Sequence, residues 1–233
     1  MIDVGCGFGR HIYQAARHCA TVVGVDFSQA IDAAYQNTRH LPNIHLVQAD
    51  IYALPFAEKS FDIVYSIGVL HHLPDPERGL KRLVPLLRSD GLCFVWLYSK
   101  KRRFVNFSLE CLRTVTIRLP YPIIRQLAFV GALIDEGLFI GPYRRLHEFP
   151  RVSLAVEQLT PARIKMYSRY PFQVLQADWF DRLAAPVRHY YNEAEIRALM
   201  TRAGLVEVQV SPTGLYGWRA RGIRDHPNGP ACG

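Results

Sequence analysis

Strand-like and helix-like segments alternate through the first hundred residues, and that alternation predicts an α/β fold: a doubly wound, mostly parallel sheet of about seven strands with helices on both faces. Three observations carry the expectation. Short runs rich in β-branched residues recur with room for one helix between them; a glycine-rich turn, Gly5-Cys6-Gly7-Phe8-Gly9, follows the first run; and Leu205-Val206-Glu207-Val208-Gln209-Val210 alternates as a half-exposed strand near the end.

In order, the first strand is expected at residues 1–4 and the first helix at 9–19, after glycines that let the backbone turn sharply and leave no Cβ between it and a ligand. Thr21-Val22-Val23-Gly24-Val25-Asp26 gives a strand at 21–26, and Ser28 supplies an N-cap for a helix over 28–39. Ile44-His45-Leu46-Val47-Gln48 and Phe61-Asp62-Ile63-Val64-Tyr65-Ser66 give strands at 44–48 and 61–67, followed by a helix at 76–88 and a strand at 91–98. The pattern then breaks. Residues 100–190 hold apolar clusters at helical spacing, such as Ile123, Ile124, Leu127 and Val130, punctuated by Pro120, Pro122, Pro142, Pro150, Pro161 and Pro171, which reads as a helical insertion. A helix from Asn192 to the C-capping Gly204, the strand at 205–210 and a last strand at 215–221 complete the sheet, and a tail from Gly222 is expected to be loose. The resulting domain scheme is a core at 1–99, an insertion at 100–190, its completion at 191–221 and a tail at 222–233.

The composition, 49% hydrophobic and 21% charged over 233 residues, is that of an ordinary globular protein. No long uncharged apolar run marks a spanning helix and no signal peptide precedes the glycines, so the cytoplasm is the expected compartment. The five cysteines, Cys6, Cys19, Cys93, Cys111 and Cys232, are scattered without a C-x-x-C pair. They indicate neither a disulfide framework nor a metal site. Charge is divided: residues 1–99 hold 8 Lys+Arg and 9 Asp+Glu, whereas residues 100–233 hold 20 and 11. The run Lys100-Lys101-Arg102-Arg103 opens the basic part and would attract an acidic acceptor, a nucleic acid or an anionic membrane surface, unless it is only a solvated face.

The spacing of the glycines separates two cofactor classes. A dinucleotide fingerprint needs its third glycine where this chain has Arg10. What remains, Asp3-x-Gly5-x-Gly7-x-Gly9, resembles motif I of the class I S-adenosylmethionine-dependent methyltransferases, whose glycine loop lies along the methionine part of the cofactor. Asp26 stands 21 positions after Gly5, placed to accept from both ribose hydroxyls; its other reading is a helix cap. The order of segments, continuing through Ala49-Asp50-Ile51 and Ser66-Ile67-Gly68-Val69-Leu70-His71-His72-Leu73-Pro74-Asp75, resembles the methyltransferase family called type 11 over residues 1–99 and weakly over 192–221. The resemblance implies a Rossmann-like core with an antiparallel last strand and S-adenosylmethionine as cofactor, S-adenosylhomocysteine being the product. It also implies that Asp50 faces the adenine amino group, that Ile51 packs on the ring and that Cys6 packs closely on the cofactor, with Asp3, Phe27 and Ser66 completing the contacts.

Methyl transfer from a sulfonium asks the enzyme to align the nucleophile, exclude water and, for a hydroxyl acceptor, remove a proton. His71 and His72 are the candidate bases because they follow the fourth strand and titrate near neutrality, although either could simply hold the loop. His189, Tyr190 and Tyr191, with Tyr98 opposite, are candidate acceptor-pocket residues or an aromatic hinge. The insertion would cover the acceptor site or merely thicken the domain. The chain lacks an Asn/Asp/Ser-Pro-Pro-aromatic segment after the fourth strand, a Pro-Cys pair there and a paired-glutamate loop. Elimination leaves a small-molecule or lipid-like acceptor, with no specific nucleic acid and with peripheral contact to an anionic membrane through the insertion; the oligomeric state is not indicated. Two other classes stay open: a catalytically weak or non-catalytic cofactor-binding protein, and an NAD(P)-dependent oxidoreductase. In the resembled enzymes some tens of residues precede the glycine loop, so a late start, a fragment or a missing lid are the three readings of this N-terminus.

Overall fold

The computed structural model describes residues 1–101, 103–214 and 216–225. Seven strands, β1 (Ile2–Val4), β2 (Val22–Asp26), β3 (Ile44–Gln48), β4 (Phe61–Ile67), β5 (Leu87–Tyr98), β6 (Leu205–Thr213) and β7 (Gly217–Arg224), form one sheet in the order β3-β2-β1-β4-β5-β7-β6. The first five run parallel, and β7 is antiparallel to both β5 and β6. This is the Rossmann-like, doubly wound sheet the alternation predicts, with the antiparallel last strand.

The order also fixes where a ligand can enter. β1 has β2 on one side and β4 on the other, so the winding reverses at β1, and a crevice opens beyond the carboxyl ends of these strands. Both faces of the central strands are covered, which is why they read as nearly continuous apolar runs: Ile2, Val4, Val25, Val64 and Val95 are all buried. Each such side chain contributes roughly 1.5–3 kcal/mol on leaving water.

Helices α1 (Arg10–Ala15), α2 (Ala30–Thr38) and α3 (Pro76–Leu83) flank the sheet, each shorter than the sequence suggests. The expected helix to residue 88 stops at Leu83 because Pro85 has no N–H to donate; Val84–Leu86 form a 3-10 turn and β5 starts at Leu87. After the insertion, α10 (Glu193–Arg202) is opened by a capping box in which Asn192 Oδ1 accepts from Glu195 N at 2.9 Å and Glu195 Oε2 accepts from Asn192 N at 2.9 Å. The loose tail expected from Gly222 is corrected in part. Gly222 and Ile223 pair with Cys93 and Leu92 inside β7, since Ile223 has an apolar partner across the ladder. Pro227, Gly229 and Pro230 lie outside the described residues.

By compactness the chain divides into Met1–Arg102 with Val187–Gly233, and Arg103–Pro186. The second unit is helical throughout its described elements: α4 (Arg103–Thr116), α5 (Tyr121–Asp135) with a π-helical turn at Glu136–Ile140, α6 (Gly141–His147), α7 (Pro150–Leu159), α8 (Ala162–Tyr167) and α9 (Phe172–Ala184). The prolines that interrupt the sequence pattern sit at helix starts, where a missing N–H costs nothing: Pro120, Pro161 and Pro171 occupy N-cap positions, and Pro122 and Pro142 lie in first turns. Residues 187–190, expected in the insertion, join the sheet unit. The core of the helical unit is α5 on α9, where Gly131 lets the Trp179 ring approach and Ala128 and Ala132 are buried.

The β5–β7 ladder has a tight point: a Cβ on Gly217 would stand 2.3 Å from Trp96 Cζ2 and 2.9 Å from the Leu97 carbonyl oxygen. Gly217→Ala is expected to destabilise the fold by about 2 kcal/mol, measured as a lower urea midpoint at unchanged slope.

Candidate cofactor and acceptor site

The glycine turn after β1 is held from within. Gly5 N and Cys6 N both donate to the Val25 carbonyl, at 2.7 and 2.9 Å, and Gly9 N donates to the Cys6 carbonyl at 3.0 Å. Gly7 N donates to Asp26 Oδ2 at 2.8 Å, while Asp26 Oδ1 accepts from Ser28 N at 2.9 Å and Ser28 Oγ at 2.6 Å. The turn therefore spends these amides on its own framework, unlike a loop that cradles a pyrophosphate with free N–H groups. The glycines divide the work. Gly5 has φ +90 and its missing Cβ is filled by Val69, which would lie 2.0 Å away, so Gly5 packs the turn on the segment after β4. A Cβ on Gly7 would meet nothing within 4 Å, which leaves that side of the turn open.

Around this turn the expected contacts separate. Asp26 is half-buried at the carboxyl end of β2, and the Phe27 ring beside it is exposed, both accessible to a ligand. Asp50 is exposed as well and caps the 3-10 turn Ile51–Ala53, its Oδ1 accepting from Tyr52 N at 2.9 Å. Three of the expected side chains are buried. The Cys6 thiol packs among Ile12, Val22, Ile31 and Ala34, and burial pushes its pKa up to about 12, so it belongs to the core and not to a cofactor surface. Ile51 is buried in the main core. Ser66 is fully buried, and its hydroxyl donates to the Val4 carbonyl at 2.8 Å, joining β4 to β1.

Asp3 is the unusual group. It is 1% exposed in the middle of β1, where the Tyr65 hydroxyl faces its carboxyl. Burial raises its pKa to about 7; the Tyr65 hydroxyl facing it lowers it a little, and the charge of Asp26 adds to the rise. A buried carboxyl of this kind is costly unless something cationic is bound near it. The open side of Gly7, the accessible Asp26 and this buried carboxyl fit a cationic nucleoside such as S-adenosylmethionine.

A second cluster stands at the carboxyl ends of β4 and β5. Alternation along β5 puts Trp96 and Tyr98 on one face, and the loop after β4 lays its histidines on them: the His71 ring lies 3.9 Å from that of Tyr98 and 4.3 Å from that of His72, with Trp96 edge-on at 5.9 Å. Tyr190 stacks on Tyr98 at 6.0 Å, and the Arg188 guanidinium lies over Tyr98 at 5.3 Å. His71 is corrected as a base. It is fully buried, and its pKa is pushed well below the ordinary value by burial first and then by His72 and Arg188, so the neutral ring serves as packing. His72 is half-buried, and its Nδ1 donates to the Val187 carbonyl at 3.0 Å.

The strap after the insertion is tied down along its length. His189 N donates to the His71 carbonyl at 2.8 Å and His189 Nε2 donates to the Leu73 carbonyl at 3.0 Å. Tyr191 N donates to the Tyr98 carbonyl at 2.9 Å, and the Tyr191 carbonyl accepts from Lys100 N and Trp218 Nε1. His189 and Tyr191 thus hold the strap, and Tyr190 and Tyr98 supply its rings. Trp96 and Arg188 were not expected. Two-residue periodicity from Tyr98 would have found Trp96, whereas nothing in the sequence marks Arg188. No group of three or more His, Cys, Asp or Glu side chains able to hold a metal ion occurs among the described residues.

Residues 2–95 match the family model described as a methyltransferase domain. Among curated relatives, a tRNA U34 carboxymethyltransferase of Pseudoalteromonas atlantica is 38% identical over 95 residues, 39% of this chain and 29% of the relative. A ubiquinone biosynthesis O-methyltransferase of Coxiella burnetii is 36% identical over 96 residues, 40% and 41% of the two chains. The chain thus spans well under half the length of these relatives. The fold is similar to that of magnesium protoporphyrin IX methyltransferase from Synechocystis PCC 6803, solved with bound SAH, at a TM-score of 0.53 and 15% identity over 96% of this chain and 73% of that one.

The Asp3 carboxyl gives the site a measurable signature. Its pKa is raised from 3.8 unfolded to about 7 folded, so the native state holds a proton that the unfolded chain releases, and its contribution to stability falls as pH rises between these values. Asp3→Asn is expected to abolish that part of the decline, seen as a gain in urea midpoint over the parent that is larger at pH 7.5 than at pH 4.5. An equal change at both pH values would remove the buried proton from the account. With the matched segment laid on this sheet, this turn and this acid at the tip of β2, residues 2–95 are similar to a methyltransferase domain of the type 11 kind.

Proposed function

We propose that the protein is a methyltransferase that binds S-adenosylmethionine at the glycine turn and transfers its methyl group to a small-molecule or lipid-like acceptor beside the Tyr98–Tyr190 rings. The observation that carries the reading is the Asp26 carboxylate, which bridges Gly7 N and Ser28 at the reversal of the sheet while remaining open to a ligand. Bound there, the cofactor supplies an activated methyl on a cationic sulfonium. Asp26 would accept from the ribose hydroxyls, Asp50 would face the adenine amino group, and Asp3 would lose its proton to balance the cation.

On the acceptor side, the chain's own residues position and dry the reactants. The buried His71 and the bonded strap close the floor of the cluster, and the edges of Tyr98, Tyr190 and Trp96 would border an unsaturated or aliphatic acceptor. In this reading His72 would take a proton from a hydroxyl acceptor. In the same reading the basic stretch 100–190 contacts an anionic membrane surface.

Isothermal titration tests the cofactor half. S-adenosylhomocysteine is expected to bind, NAD(P) is not, and Asp26→Asn is expected to weaken S-adenosylhomocysteine by about tenfold or more through loss of charge-assisted hydrogen bonds. Binding of NAD(P) alone would overturn the reading. Turnover with tRNA but with no phenol, acid or lipid acceptor would overturn the acceptor class.

A further inference from the structure

Helix α4 has its polarity reversed. A surface helix turns its apolar stripe inward. Here Phe104, Phe107 and Val115, at i, i+3 and i+11, are 90%, 69% and 61% exposed, with the exposed Cys111 on the same stripe. The inward face carries polar groups instead: Arg113 is buried and pairs with Glu110, and the buried Thr116 hydroxyl donates to the Leu183 carbonyl of α9 at 2.8 Å. Hydrogen bonding therefore contributes to seating α4 on α9, and the exposed apolar stripe is left for something outside.

The charges say what that is. The helix begins at Arg103, directly after Lys100-Lys101-Arg102 in the sequence, and has no acid in its first turn. Cations at a helix N-terminus oppose the macrodipole, so they do not stabilise the helix, and the end of α4 is left with a doubly favourable field for anions. Residues 100–186 carry 14 Lys+Arg and 7 Asp+Glu. A second copy of the chain would bring two such basic faces together, whereas an anionic bilayer would neutralise one and take up the phenylalanines. No helix among the described residues is long and apolar enough to cross a membrane.

We infer that α4 is an interfacial helix that lies in the plane of an anionic lipid surface, with Phe104, Phe107 and Val115 in the headgroup–acyl boundary and Arg103 among the phosphates. This deepens the membrane-contact part of the proposed function and is independent of cofactor binding.

The test is co-sedimentation of the whole chain with vesicles of equal parts phosphatidylglycerol and phosphatidylcholine, against vesicles of phosphatidylcholine alone. The parent protein is expected to sediment with the anionic vesicles only. The double variant Phe104→Ser, Phe107→Ser is expected to lose at least tenfold in affinity, and Arg103→Glu at least about fivefold. Because these residues are exposed, their urea midpoints should match the parent's. A parent that binds while the double variant binds equally well would overturn the assignment to α4 and leave membrane contact standing; a parent that does not bind would overturn both. A concentration-dependent dimer abolished by the double variant would assign the stripe to a second copy and overturn the lipid inference. Titration of S-adenosylhomocysteine on the same samples reports the methyl-donor site separately.

Discussion

One carboxylate organises the sheet unit's ligand end. Asp26 stands at the tip of β2, next to the strand where the winding of the sheet reverses, and its two oxygens bind the turn after β1 and the start of α2 at once. The glycine turn needs this support because its other amides are already committed to Val25 and Cys6. The turn is thus shaped before any ligand arrives, and little ordering cost remains for binding. It also distinguishes this pocket chemically: a framework that consumes its own N–H groups suits a ligand without phosphates, in which hydroxyls, an amine and a cation must be recognised by carboxylates.

The sheet itself was legible in the sequence because its strands are short, β-branched and separated by clear turn signals. Ile44–Gln48 and Phe61–Ile67 fall where those signals put them. Boundaries failed where one residue outweighed a pattern, as Pro85 does at the end of α3. Within the site, the place of Asp26 at the tip of β2 was legible because the β-branched run ends there. Ser66, Ile51 and Cys6 were not, since which face of a strand or turn meets the core depends on register against β1 and α3, and that register is set by distant residues. His71 misled for the same reason. A histidine after a strand looks poised for chemistry until Trp96 and Tyr98 are seen to enclose it.

The helical unit obeys a different logic. Its prolines start helices, its core is small and built on Ala128, Ala132 and Trp179, and much of its apolar surface remains outward. Sequence periodicity reports that such helices are amphipathic and cannot report which face is buried. The inward Arg113 and Thr116 of α4 could be learned only from the fold.

The account's central claim is that Asp26 joins the glycine turn to a bound nucleoside. A crystal structure of the protein with S-adenosylhomocysteine tests it most directly. The claim predicts both ribose hydroxyls within hydrogen-bond distance of the Asp26 carboxylate while its bond to Gly7 N persists. A ligand bound away from the glycine turn, or a ribose that leaves Asp26 bonded only to Gly7 and Ser28, would contradict it.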